Sequence, residues 1–280
     1  MRALRRRFSP EDHLPIKEIE PFFRSYGALD IEIGGVMLSL NLAHRHERRY
    51  AAAHILRLRY PQSDIDKMLF KRFVRPGDTL IDAGANIGFT ALEALSAGCA
   101  KVHCFEALPE LAARIERLND PRIVLHALAL SDRTGHVDMT VSTAHNQGST
   151  YRSEIVRKFD GAFGDAPKHI RVPCSTIDAE DLPAFDIWKL DVEGAEVDLL
   201  AGAERTLTRA PPRVILAEVF DPMFEAFQAR ARKTHPYCYR ALIARRGYEL
   251  TLIEPKARVS LTRYHSTSPT YVFLRQKLER

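Results

Sequence analysis

The chain of 280 residues has four cysteines, Cys99, Cys104, Cys174 and Cys238. None forms a C-x-x-C pair and their spacing fits no zinc motif, so neither a disulfide framework nor a zinc site is indicated. Cys104 stands in an apolar strand-like run and Cys99 at a helix end, both as core filler, and a reducing compartment is the simplest reading. Also lacking is any apolar stretch of the roughly 18 residues that a membrane helix needs. The Arg5-Arg6-Arg7 run is not followed by a continuous apolar segment, which argues against a signal peptide and for a cytoplasmic location. Charge of one sign is scarce: 41 Lys+Arg against 36 Asp+Glu give +5, spread along the chain. That excess carries no nucleic-acid footprint. Two phosphate signatures are missing too. There is no G-K-[ST], and Asn86 stands where a dinucleotide fingerprint needs its second glycine.

What is present is an ordinary globular composition, 45% hydrophobic and 28% charged. Residues 1–60 read as an N-terminal extension to a domain over 61–280. In the extension, Gly34-Gly35 separates IEI from VMLSLNL as a hairpin turn, and Glu47 to Arg59 reads as a basic helix. Ser63 is the expected N-cap of the next helix, with Asp66 in its first turn, and Pro76-Gly77 ends it. From there apolar strands alternate with helices: TLIDAG, Gly88–Ala97, KVHCFEA, a helix from Pro109, Arg122–Leu130, DIWKLD, a helix from Ala195 to about Thr208, and RVILAEV. This rhythm predicts an α/β fold, a mostly parallel sheet with helices on both faces. The polar segment Ser142–Lys168 interrupts it as a long loop of the kind that forms lids, with a short helix near Glu154–Phe159.

The richest motif is LIDAGANIGFT, Leu80 to Thr90. A strand ends at Asp82, a glycine turn follows and a helix opens near Gly88, at the carboxyl end of a strand where open parallel sheets bind ligands. Glu106 follows Gly84 by about 20 residues, the distance at which an acid takes ribose hydroxyls. A ribose without a diphosphate describes S-adenosylmethionine.

These stretches, with VHCFEALPELAARIERL, ALALSDRTGHV, STIDA and IWKLDVEGAE, resemble the FkbM-type S-adenosylmethionine-dependent methyltransferases over about residues 65–275. Ala107 departs from the proline common there. The resemblance implies a class I methyltransferase (Rossmann-like) sheet of seven strands, the last antiparallel and inserted beside the fifth, with YELTLIE and TYVFLRQ as the closing pair. It also implies O-methylation of a hydroxyl on a small metabolite or glycan. By the same carry-over Asp82, Gly84, Ala85, Asn86 and Gly88 line the methionine end, Glu106 and Ala107 the ribose, and Ser131 and Asp132 the adenine.

The second acidic cluster is IWKLDVEGAE. Methyl transfer to a hydroxyl needs alignment and a proton acceptor. Asp191 ends its strand beside the switch point and touches both cofactor and acceptor in this reading. Glu193 and Glu218 join it, and Lys189 points to the same side by strand alternation, as ion-pair partner or cofactor contact. Glu196 is a helix-start acid favoured by the dipole. Three acids together could hold a divalent cation, but the sequence names no metal site. His145, Asn146 and Ser149 in the polar loop are candidate substrate contacts. Alternative functions are an N-methyltransferase, disfavoured by Asp-Val-Glu-Gly at 191–194, or a non-catalytic cofactor-binding scaffold in an assembly.

Overall fold

The computed structural model describes residues 16–143, 147–158, 163–244, 247–254 and 270–279. The chain enters through a helical turn, α1 (Ile16–Ile19), and a 3-10 segment (Glu20–Tyr26). The expected hairpin follows: β1 (Ala28–Ile33) and β2 (Val36–Asn41) pair antiparallel across Gly34-Gly35. Their burial alternates, so one face seats Ile31, Ile33, Leu38 and Leu40 in the core. The basic helix is α2 (Arg45–Leu56). The next, α3 (Pro61–Phe73), corrects the expected cap. Pro61 opens it, Ser63 is buried one turn in, and the Asp64 carboxylate accepts the Tyr60 N–H at 3.0 Å.

The sheet then builds by strand–helix alternation: β3 (Thr79–Ala83), α4 (Phe89–Ser96), β4 (Lys101–Phe105), α5 (Pro109–Glu116) and β5 (Ile123–His126). A second, four-stranded sheet interrupts: β6 (Ala129–Leu130), β7 (Gly135–Val141), β8 (Ser149–Thr150), α6 (Ser153–Lys158) and β9 (Lys168–Ser175), in the order β6-β9-β7-β8. Alternation resumes with β10 (Ile187–Leu190), α7 (Glu196–Ala201), α8 (Glu204–Arg209), β11 (Val214–Glu218), α9 (Asp221–Ala231), β12 (Tyr237–Ala244), β13 (Gly247–Ile253) and β14 (Thr270–Leu274).

Among the described residues the main sheet has eight strands, ordered β13-β12-β14-β11-β10-β3-β4-β5. The doubly wound core is as expected: β3, β4, β5, β10 and β11 are mutually parallel, and β14 (TYVFL) runs antiparallel beside β11. The closing pair needs correction. The strand beside β14 is YCYRALIA, and YELTLI is an extra antiparallel edge strand. Arg240 and three polar-tipped aromatic or small neighbours hide β12 from an apolar-run reading, although Arg240 itself is buried.

The helix expected over 195–208 is two helices. They meet at Gly202, whose backbone lies against Ser131, where a Cβ would meet the Ser131 carbonyl at 2.1 Å. The Asp178 carboxylate then caps α8, accepting the Arg205 and Thr206 N–H groups at 2.9 and 2.8 Å.

Two cores flank the sheet. Leu80, Ile187, Val214 and Leu216 face one cluster with Leu38, Leu40, Ala51, Ala52, Leu69 and Phe70, so the N-terminal segment and α3 cover that face. Ile81, Trp188, Leu190, Ile215 and Ala217 face the other, with Leu199, Leu200 and Phe227 of α7 and α9. Order reverses between β3 and β10, which opens a crevice at their carboxyl ends. All four cysteines are free and buried. No described helix is long and apolar enough to cross a membrane.

Candidate functional site

The strand alternation that sorts the two cores also sorts the acids. Asp82 shares the face of Leu80, Lys189 and Asp191 that of Ile187, Glu218 that of Leu216, and Glu106 that of Val102 and Cys104. All four carboxylates and the lysine therefore lie toward the side covered by α3 and α4, at the carboxyl ends of adjacent strands.

The turn after β3 fixes the first part of the site. Gly84 has φ +82°, and a Cβ there would meet the Asp191 carbonyl at 1.9 Å, so only glycine lets the turn cross the end of β10. The Gly84 and Ala85 N–H groups donate to the Phe105 carbonyl at 2.9 and 3.1 Å, tying the turn to β4. Asn86 also takes a left-handed φ of 52°, a conformation asparagine tolerates better than most side chains.

Glu106 is buried and accepts backbone hydrogen bonds on both oxygens. Oε2 accepts the Asn86 N–H and Oε1 the Leu108 N–H, both at 2.8 Å. Burial pushes its pKa up to about 7, against the lowering by backbone donors of Leu108, Asn86 and Ala107. Each oxygen keeps acceptor capacity for a hydroxyl.

At the other end, Lys189 is 2% exposed and pairs side by side with Asp82 in the parallel register. Its Nζ donates to Asp191 Oδ2 at 3.2 Å. Burial alone would lower its pKa, but Asp191, Asp66, Glu218 and Asp82 together hold it well above the ordinary value. Lys189 is thus a fixed cation beneath Asp191. Asp82 is buried with Oδ2 unpartnered among the described residues, and burial pushes its pKa up to about 7. Glu193, half-buried, sits at φ 51° in the turn; burial and then Asp191 and Glu196 push its pKa up to about 8. Glu196 is buried and ties its own turn, accepting the Val192 and Gly194 N–H groups at 3.0 and 3.2 Å. Its role as a structural helix-start acid fits that geometry. Among the described residues no group of three or more His, Cys, Asp or Glu is arranged to hold a metal ion.

One cavity joins the two ends. It is lined by Gly84, Ala85, Asn86, Glu106 and Ala107 on one side, and by Asp191, Glu193 and Glu218 on the other. Asp82 and Lys189 lie behind this lining. Ser131 and Asp132 are not part of it: Ser131 is fully buried against Tyr151, and Asp132 is exposed beside Arg133. Leu128, Ala129 and Leu130 form the wall there instead. Ser149 lines the cavity; His145 and Asn146 lie outside the described residues.

Three lining groups escape a motif reading. Tyr50 comes from α2 and stacks on Phe89 with ring centroids 3.9 Å apart. Asp66 comes from α3 and Tyr151 from the polar segment. That segment is latched down: Tyr151 Oη donates to Asp198 Oδ2 at 3.0 Å and Arg152 Nη1 to the same oxygen at 2.5 Å, while Ile155 and Phe163 pack on Phe220. Replacing Arg152 by alanine is expected to cost about 1 kcal/mol and to speed proteolytic cleavage near residues 147–158; a urea melt and limited proteolysis check it, and wild-type behaviour in both would count against the latch.

His103 and His126 form a stacked pair on β4 and β5, Nδ1 to Nε2 at 3.0 Å, away from the cavity lining. Burial lowers both pKa values, His103 to about 4, as suits neutral core histidines.

A model of the methyltransferase FkbM domain matches residues 82–250. The chain belongs to the FkbM methyltransferase family. A 2-O-methyltransferase, NoeI, from Sinorhizobium fredii (strain NBRC 101917 / NGR234) is 30% identical over 182 residues, 59% of this chain and 73% of its own. Among solved structures, methyltransferase FkbM from Methylobacillus flagellatus KT is 14% identical with a TM-score of 0.44, covering 81% of this chain. This chain spans 54% of that one's length. The C-terminal domain of precorrin-6Y C5,15-methyltransferase from Rhodobacter capsulatus is 13% identical with a TM-score of 0.38, covering 74% of this chain and 85% of its own.

Proposed function

We propose that this family member transfers a methyl group from S-adenosylmethionine to a hydroxyl on a small metabolite or glycan. The observation that carries the reading is the single cavity with Glu106 at one end and Asp191 at the other. The chemistry of the lining fits the cofactor. Glu106 has spare acceptor capacity for two vicinal hydroxyls, the turn at Gly84–Asn86 offers close backbone approach, and Leu128–Leu130 give an apolar wall for a base. In this reading the 1–60 extension completes the cavity of the 61–280 domain through Tyr50. The 2-O-methyltransferase relative favours oxygen over nitrogen as acceptor.

When bound, the cofactor supplies an electrophilic methyl group on a sulfonium. Asp191, oriented by Lys189, accepts the hydrogen bond of the acceptor hydroxyl. As the acceptor oxygen took that methyl group, the Asp191 carboxylate would take the hydroxyl proton. Glu193 lies beside that carboxylate, its pKa pushed up by burial and by Asp191 and Glu196, and adds a second carboxyl at the acceptor end. Tyr151 and the segment it belongs to shield the cavity from water.

Incubation with methyl-labelled S-adenosylmethionine and a panel of hydroxylated metabolites and glycans tests the proposal, with the label expected on oxygen; label on nitrogen alone would overturn it. The pH dependence gives a further prediction. Ribose hydroxyls donate to ionised Glu106, so affinity for S-adenosylhomocysteine should rise about tenfold between pH 6 and 8 as a group of pKa about 7 deprotonates. Calorimetry should show this slope reduced in Glu106→Gln, the remainder belonging to Asp82. An unchanged slope would remove Glu106 from ribose binding.

A further inference from the structure

We propose that Asp66, on α3, holds the α-ammonium group at the amino-acid end of the cofactor. The inference rests on the S-adenosylmethionine reading above and adds a residue that lies outside the matched span 82–250.

Position comes first. The face of the sheet that carries Asp82, Lys189, Asp191 and Glu218 is the face that α3 covers through Leu69 and Phe70. Asp66 lies one helical turn before Phe70, so the helix that seals the core also lowers a carboxylate toward the strand ends. It lines the same cavity as Gly84–Ile87, Phe89 and Thr90. Its position relative to that turn is fixed. The neighbouring Lys67 pairs with Glu93 of α4 at 3.2 Å and places its Nζ 5.6 Å from the centre of the Phe89 ring, and α4 begins where the glycine turn ends.

The second observation is that Asp66 is uncommitted. Among the described residues no hydrogen bond or ion pair engages its carboxylate, and only longer-range charge reaches it, from Lys189, Asp191 and Glu93. The cation in the cluster, Lys189, is hydrogen-bonded to Asp191. Burial and the two acidic neighbours push Asp66 up to about 6, with Lys189 acting against them. A half-buried carboxylate so placed is stabilised by an incoming cation. Behind it stands Asp82, with its own unpartnered oxygen.

Ligand chemistry then selects the group. An amino-acid end presents one ammonium and one carboxylate. Asp66 and Asp82 repel the carboxylate and attract the ammonium, which donates up to three hydrogen bonds, so the pair fixes which way the amino acid turns. The sulfonium charge is left beside Asp191, where the acceptor must be.

The test compares two probes by calorimetry on wild type and Asp66→Asn: S-adenosylhomocysteine, and its analogue with the α-amino group replaced by hydrogen. The substitution keeps shape and removes charge. It should weaken S-adenosylhomocysteine about tenfold and leave the des-amino analogue unchanged. Equal loss on both probes would place Asp66 in the fold rather than at the ammonium, and no loss on either would remove it from the site; each overturns the inference. Failure of the wild type to bind S-adenosylhomocysteine would instead overturn the function proposed above, and this inference with it.

Discussion

Replacing Asp191 by asparagine is expected to lower turnover about a thousandfold, within the range that a positioned general base contributes. Affinity for S-adenosylhomocysteine should stay within about a factor of three. The split follows from where Asp191 stands. It lines the acceptor end of the cavity, and its Oδ2 is fixed by Lys189 from below. Asparagine keeps the shape and can still orient a hydroxyl, but its amide cannot take the proton. Lys189 keeps Asp66, Glu218 and Asp82 as compensating charges, so the substitution does not leave an isolated buried cation. Single-turnover assays with labelled S-adenosylmethionine on an acceptor that the wild type methylates give the answer. Full turnover in Asp191→Asn would assign proton removal elsewhere, with Glu193 and Glu218 as the remaining carboxylates at that end.

Replacing Glu106 by alanine should weaken S-adenosylhomocysteine about a hundredfold. The loss has two sources. Two charge-assisted hydrogen bonds to the ribose disappear, each typically about 1.5–3 kcal/mol to a charged group. The Asn86 and Leu108 N–H groups also lose the acceptor that holds the glycine turn against the end of β4. The second effect separates Glu106→Ala from Glu106→Gln. Glutamine retains one acceptor oxygen and should keep one of the two turn contacts, so its loss should be smaller. If alanine and wild type bound S-adenosylhomocysteine equally, the ribose assignment would fail.

The parts of this molecule written in sequence-local chemistry were legible in advance. A glycine turn after an apolar strand, an acid about 20 residues further on, and Asp191 after IWKL each declare themselves within a few residues, because a strand end and its turn are contiguous in the chain. Strand alternation correctly placed Lys189 on the side of Asp191. The family resemblance supplied β14 as the antiparallel insertion, which no local pattern states.

What was missed depends on contacts between distant segments. The turn at Gly202 reads as helix until Ser131 is brought against it. The strand YCYRALIA carries a buried arginine and lacks an apolar run, so a pattern reading puts YELTLI in its place. The second sheet uses short or mixed strands that gain their order only by pairing, as GHVDMTV does with KHIRVPCS. Ser131 and Asp132 follow β6 at the expected place, but Ser131 turns inward to Tyr151 and Asp132 outward to Arg133. Tyr50 and Asp66 reach the cavity from helices that no motif marks, because a single residue pointing into a pocket leaves no periodic trace. Asp66 in particular looked like a first-turn helix acid, and its position in the cavity follows only from the packing of α3 on the sheet.

The most direct test of the account is calorimetric titration of S-adenosylhomocysteine into the purified protein and into Asp191→Asn and Glu106→Ala. Saturable binding with about one site per chain is expected, retained in Asp191→Asn and weakened about a hundredfold in Glu106→Ala. Absence of binding to the wild type at millimolar concentration would contradict it.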